Sequence, residues 1–276
     1  MVYIKSIDKD IFPKYVLPFD DEIFTSWLCR ISENHGLKAK SFITSYIEKK
    51  YPLWNRDIDV MAPEELINFF SFHMPNSEQS INNLFLKSLE GFAFHNIQPK
   101  GLTSNILPVG IKAKQRSRFG QQCCCSCLSK NQYYKMKWRL STSIICTECN
   151  EYLIDRCPKC KSSISYFRVN FGGNSSKPKS NFLPLSYCFN CNYDLSKYVQ
   201  KNKPNSLERK YQLFINKTIN DGYNQKAKYS FTYLRVLFAL SLRLRSNTKK
   251  NRFKTSIEEL TSNNFLYYNK KLSYWS

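Results

Sequence analysis

Cys123–Cys127 reads CCCSC, Cys146–Cys149 reads CTEC, Cys157–Cys160 reads CPKC and Cys188–Cys191 reads CFNC. Four Cys-x-x-C pairs therefore follow one another: Cys124/Cys127, Cys146/Cys149, Cys157/Cys160 and Cys188/Cys191. Ten of the chain's eleven cysteines lie in this stretch. A Cys-x-x-C turn aims two thiolates at one point, and two such turns complete the tetrahedral four-sulfur shell that Zn²⁺ prefers. Spacing suggests the pairing. Eighteen residues separate Cys127 from Cys146 and 27 separate Cys160 from Cys188, but only seven separate Cys149 from Cys157. The first pair is expected to join the second, and the third the fourth. An interleaved order, first with third and second with fourth, is the alternative.

Two structural zinc ions are thus expected. Four thiolates leave no open coordination position, which argues against hydrolytic zinc chemistry. Each site could supply roughly 10–16 kcal/mol of apparent binding energy to folding. Disulfides are the competing reading; the N-terminal MVYIKSIDKD lacks the apolar core of a secretory signal, so a reduced cytoplasm is expected. Cys124 is preferred as ligand over Cys123 and Cys125 because it gives the two-residue spacing. Cys29, among apolar helical positions, reads as core. The segment 165–180, rich in Gly, Asn, Ser and Lys, reads as a loop inside the second pair of turns.

Net charge is +21 over 276 residues, and its distribution is uneven. Residues 1–111 carry 11 basic and 13 acidic side chains, a net of −2. Residues 112–197 carry 15 and 4, and residues 198–276 carry 16 and 4, nets of +11 and +12. This divides the chain into three expected domains: 1–111 near neutral, 112–197 holding the cysteine turns, and a basic tail, 198–276. The positive two are the footprint of polyanion binding. The longest strongly apolar run, Val236–Leu242, is too short to span a bilayer, so no membrane partner is expected.

In the first stretch, Ile23, Phe24, Trp27, Leu28 and Ile31 form a helical stripe, capped by Asp20 or Asp21 and closed by Gly36. A second helix follows with Phe42, Ile43, Tyr46 and Ile47, so the two resemble a helix-turn-helix. Pro63, Glu64 and Glu65 open a third helix, and Ser77 precedes a fourth that Gly91 closes. Asp20, Asp21 and Glu22 read as first-turn acids rather than catalytic carboxylates. His35, His73 and His95 are scattered, and no catalytic residue is expected. The tail reads as helices over 206–222 and 231–245, with a third from Ser256. The fold class is therefore mainly α with small β, in three parts: an N-terminal helical domain with a helix-turn-helix-like hairpin, tandem four-cysteine zinc knuckles, and a basic helical C-terminal region.

Candidate nucleic-acid contacts are Lys112, Lys114, Arg116, Arg118, Lys135, Lys137 and Arg139, interleaved with Tyr133, Tyr134 and Trp138. The basic run Arg243, Arg245, Lys249, Lys250, Arg252 and Lys254 adds a second set.

Leu17-Pro18, Asp21-Glu22, Ser26-Trp27-Leu28 and Arg30 resemble the N-terminal signature of the TniQ/TnsD transposition family. So does the order that follows: the basic stretch 112–118, Cys124-x-x-Cys127-Leu128, Trp138-Arg139-Leu140, Cys146-x-x-Cys149, Cys157-Pro158-x-Cys160 and Cys188-x-x-Cys191. The likeness covers about residues 13–197. It departs in Cys149, where the family often has His, and in the length of the C-terminal region, which is longer in the family's target-site readers. The resemblance implies a bacterial, cytoplasmic target-selection subunit of a Tn7-like or CRISPR-associated transposon, catalysing nothing itself. Its implied partners are DNA itself or an RNA-guided effector complex, and an AAA+ ATPase; a second copy of the chain is a further candidate partner, and Trp27 and Arg30 are read as partner-binding residues. A zinc-dependent, sequence-specific transcription regulator is the alternative.

Overall fold

The computed structural model describes residues 12–14, 16–47, 56–74, 78–91, 93–99, 103, 105–109, 121–170, 182–222 and 236. Among these the fold is mainly helical with one small two-stranded sheet, as the sequence predicts. The chain divides into two compact units: Met1–Ser88 with Ile97–Lys201, and Leu89–Asn96 with Asn202–Ser276.

The first unit begins with α1 (Phe24–Asn34) and α2 (Ala39–Tyr46), followed by α3 (Ile58–Met61), α4 (Glu64–His73) and α5 (Glu78–Asn83). The α1 stripe is buried as expected: Phe24, Trp27, Leu28 and Ile31 are all fully covered. Phe24 stacks on Phe85 at 4.3 Å, and Trp27 meets the edge of Phe70 in α4 at 4.9 Å. Gly36 (φ 70°) ends α1 with paired bonds, Gly36 N–H to Glu33 O and Leu37 N–H to Ser32 O. That is a Schellman motif, and its left-handed residue favours glycine. The opening of α1 differs from expectation. Its N-cap is Ile23, without a side-chain cap. Asp21 instead faces another segment, accepting from the Tyr133 hydroxyl (2.8 Å). Glu22 is buried and accepts from Ser26 Oγ (2.8 Å) and the Arg30 guanidinium.

The boundary expected at 111/112 runs through the first unit rather than between units. The reason is a shared core. Ile23 N–H donates to Tyr134 O (3.0 Å) and Met136 N–H to Asp21 O (2.8 Å), so the chain entering α1 pairs with the segment after α6 (Cys125–Lys130). Tyr134 stacks on Tyr166 at 4.0 Å and meets Trp138 edge-on. Leu107 N–H donates to Arg139 O at 2.7 Å. Strands β1 (Ile145–Cys146) and β2 (Glu151–Tyr152) form an antiparallel hairpin across the CTEC turn. Of the expected loop over 165–180, the first part holds a short 3-10 turn, Tyr166–Arg168, and residues 171–180 lie outside the described residues.

The described part of the second unit is dominated by α7 (Ser206–Asp221). Asn205 and Glu208 form a reciprocal capping box, and Gly222 (φ 61°) ends the helix where the sequence predicts. Glu208, Gln212, Ile215 and Thr218 are covered, while Leu207 is exposed. The expected tail helices over 231–245 and from Ser256 fall, apart from residue 236, outside the described residues.

Candidate metal centres

The cysteine turns are built by backbone geometry. Asn150 (φ 53°), Lys161 (φ 60°) and Asn192 (φ 54°) each follow the second cysteine of a Cys-x-x-C pair and each sits in the left-handed region. In the last two pairs the chain reverses there: Lys161 N–H donates to Cys157 O and Asn192 N–H to Cys188 O, both at 2.9 Å. The Cys124/Cys127 pair is different, because it lies on the first turn of α6 with Cys124 as the N-cap.

These turns bring the sulfurs together in the expected order, first pair with second and third with fourth. Cys124, Cys127, Cys146 and Cys149 form one group, and Cys157, Cys160, Cys188 and Cys191 another. Within each group all sulfurs lie within 4.8 Å of one another. Cys127 Sγ is 3.5 Å from Cys146 Sγ and from Cys149 Sγ. Cys157 Sγ is 3.7 Å from Cys191 Sγ, and Cys160 Sγ 3.6 Å from Cys188 Sγ. A disulfide would need about 2.05 Å. A tetrahedral shell with metal–sulfur bonds of about 2.3 Å has edges of about 3.8 Å. Each group therefore fits a single metal ion. Cys123 is buried in a backbone pair with Ile154, and Cys125 is buried within α6; neither belongs to a sulfur group.

The surroundings of the two centres differ. Beside the first, Glu151 lies 3.9 Å from Cys124 Sγ and accepts from Ser126 Oγ, and Glu148 lies 3.9 Å from Cys127 Sγ. Lys135 answers them from a nearly buried position, 2.6 Å from Glu148 and 3.0 Å from Asp21. Burial alone would lower its pKa, but Glu148 and Asp21 raise it above the ordinary lysine value, so the ammonium stays charged. At the second centre, the Ser162 hydroxyl lies 3.0 Å from Cys160 Sγ and 3.4 Å from Cys188 Sγ, placed to donate to a thiolate.

A third polar cluster lies away from the sulfurs, and sequence reasoning missed it. Arg139 is 0% exposed, with Nη1 at 3.1 Å from Asp59 and Nη2 paired with Asp57. Its Nε donates to Leu107 O. Asp59 also accepts from Thr25 N–H (2.9 Å) and Thr25 Oγ1 (2.8 Å), and Tyr166 Oη closes the chain on Thr25. Burial pushes the Asp59 carboxyl up, while Arg139 pulls it down. The available signal was the alternation Asp57-Ile58-Asp59, two acids flanking an apolar residue, against a lone basic residue between Trp138 and Leu140.

These contacts correct several expected site residues. Arg139 is sealed in the core, and Lys135 is engaged on two carboxylates, so neither presents a cation to a phosphate. Lys137 is partly exposed, 3.9 Å from Asp21 and 3.8 Å from Glu148. Tyr134 and Trp138 are buried and cannot stack on a base. Trp27 is also fully buried, its indole N–H donating to Val16 O, so it is scaffold rather than partner surface. Arg30 keeps some exposure, held by Glu22 and lying 4.4 Å over the Phe19 ring. Lys112, Lys114, Arg116 and Arg118 lie outside the described residues, as do Arg243, Arg245, Lys249, Lys250, Arg252 and Lys254. No helix among the described residues is long and apolar enough to cross a membrane.

No curated protein matches the chain. The family model TniQ, which describes transposition-associated proteins, matches residues 13–151, from the segment leading into α1 to the start of β2. That span is 139 of 276 residues and includes the first sulfur centre, so the chain belongs to the TniQ family.

Proposed function

We propose that this chain is a target-selection adaptor of a transposon, with both sulfur centres holding structural Zn²⁺. Membership of the TniQ family carries this reading. The adaptor binds DNA, an RNA-guided effector complex, or both, and recruits the AAA+ ATPase that governs the transposase. It catalyses no step itself. A tetrahedral four-sulfur site suits zinc, and its closed shell supplies folding energy rather than a reactive water. The first ion would be held by Cys124, Cys127, Cys146 and Cys149, the second by Cys157, Cys160, Cys188 and Cys191.

The described residues support a division of labour. Asp21, Lys135 and Glu148 tie the first centre to the start of α1, so metal binding there and the order of the helical segment are coupled. A rigid scaffold of this kind suits a protein whose task is to hold two partners in fixed relation.

The test is a pull-down of the zinc-loaded chain with the ATPase of the same transposon, with and without DNA, alongside duplex binding at physiological salt. Capture of the ATPase supports the adaptor reading. Failure to capture it, together with one defined footprint for the isolated chain, would instead indicate a sequence-specific regulator.

A further inference from the structure

We infer that the outer face of the second sulfur centre, carried by Lys159 and Lys161, grips the sugar–phosphate backbone of duplex DNA; this rests on the DNA-binding part of the function proposed above. The expected contacts around the first centre are withdrawn into ion pairs, so the phosphate-facing cations of the described residues must be sought elsewhere. Lys159 and Lys161 flank Cys160 and are exposed. Cys160 Sγ lies 3.6 Å from Cys188 Sγ on the facing turn. The neighbour of Cys188, Phe189, carries the Arg168 guanidinium 4.1 Å over its ring. Three cations thus surround one pair of facing turns.

The second observation is conformational. Three residues of this chain occupy the same left-handed position after a Cys-x-x-C pair, and two of them are Asn. Asn tolerates that conformation; for most other L-residues it costs about 1–2 kcal/mol. The third is Lys161. A residue ill-suited to the backbone, with its side chain exposed, points to a use for the ammonium rather than for the turn.

The third concerns readiness. The Phe189 ring holds the flat face of the Arg168 guanidinium, which limits the side-chain freedom that would be lost on binding phosphate. From residue 152 to residue 201 the acids are Asp155 and Asp194. Asp155 lies 3.6 Å from Arg156 Nε, and Asp194 accepts from Ser186, Ser196 and the Ser196 backbone. Neither carboxylate is an unbound competitor for the DNA.

The experiment measures binding of the zinc-loaded chain to a mixed-sequence duplex across a range of salt. The variants are Lys161→Asn, Lys159→Gln with Lys161→Asn, and Lys137→Gln. Each phosphate contact contributes about 0.9 to the slope of log K against log salt. Lys161→Asn should make the slope shallower by about one and the double variant by about two, with zinc content unchanged. Lys137→Gln should leave it unaltered. Because Asn fits the backbone better, Lys161→Asn should also leave the melting temperature equal or higher, which no purely structural role for Lys161 predicts. An unchanged slope in the double variant, with the wild type binding normally, would overturn this surface while leaving DNA binding standing. Absence of salt-dependent binding by the wild type would overturn both.

Discussion

Arg139→Met is the sharpest probe of how this fold is held together. The substitution keeps a long side chain in the cavity and removes the cation. Arg139 is fully covered and its partner Asp59 is nearly so, while Asp57 keeps about a quarter of its side-chain surface in water. Removing one member of a buried ion pair costs about 3–5 kcal/mol, because the remaining charge stays desolvated. Domain stabilities are about 5–15 kcal/mol, so at least about a fifth of the total is at stake. With a urea slope of about 2 kcal/mol/M, the unfolding midpoint should fall by about 2 M. Trp27 and Trp138, both buried in this unit, report the transition by fluorescence at fixed free zinc. Adding Asp59→Asn to Arg139→Met should recover much of the loss, because the amide still accepts from Thr25 while the buried charge is gone. A loss under about 1 kcal/mol, the range of solvated surface pairs, would refute the reasoning. So would the absence of any recovery in the double variant.

Further outcomes follow from other residues. Cys124→Ser and Cys157→Ser should each reduce bound zinc from two ions to one, and Cys124→Ser should disturb Trp27 fluorescence more, since Lys135 and Glu148 connect that centre to α1. Unchanged zinc stoichiometry would refute this. Burial pushes the Glu33 carboxyl up to about 7, against the opposing pull of Asn170 and Arg30. The folded state therefore holds a proton that the unfolded state releases near pH 4, and stability contributed by Glu33 falls as pH rises from about 4 to about 7. Glu33→Gln should flatten the stability difference between about pH 5.5 and about pH 7.5 relative to wild type; parallel curves would count against it. Asn205→Ala should cost about 1 kcal/mol by opening the capping box, seen as faster amide exchange in the first turn of α7.

What the sequence made legible is what depends on local spacing. The Cys-x-x-C turns, the α1 stripe, the Gly36 and Gly222 ends and the Pro63 boundary all follow from residues a few positions apart, and the pairing of the turns follows from the lengths of chain between them. What it concealed depends on contacts across long separations. Arg139 and Asp59 are 80 residues apart, and Tyr166 and Thr25 are 141 apart. The apolar neighbours Trp138 and Leu140 hint that Arg139 is covered, but nothing near it in the chain names Asp57 and Asp59 as its partners. The same limit applies to Asp21: a carboxylate just ahead of a helix normally reads as its cap, and here the partner is a lysine more than a hundred residues later.

The two sulfur centres therefore differ in what their charges do. Four thiolates around Zn²⁺ carry a net charge of −2, and such a site is stable only where cations or donors offset it. At the first centre Glu148 and Glu151 add negative charge, and the fold answers with Lys135, taken out of solvent and shared with Asp21. That cation has no surplus to offer a polyanion, and the carboxylates beside it would repel one. At the second centre Ser162 is placed to donate to the sulfurs, and the neighbouring lysines remain in water. The net charge of +21 says that the chain favours polyanions, but the availability of each cation decides where. In the cysteine region, the phosphate-facing surface we infer therefore lies at the second centre rather than beside Lys135, Lys137 and Arg139 of the first.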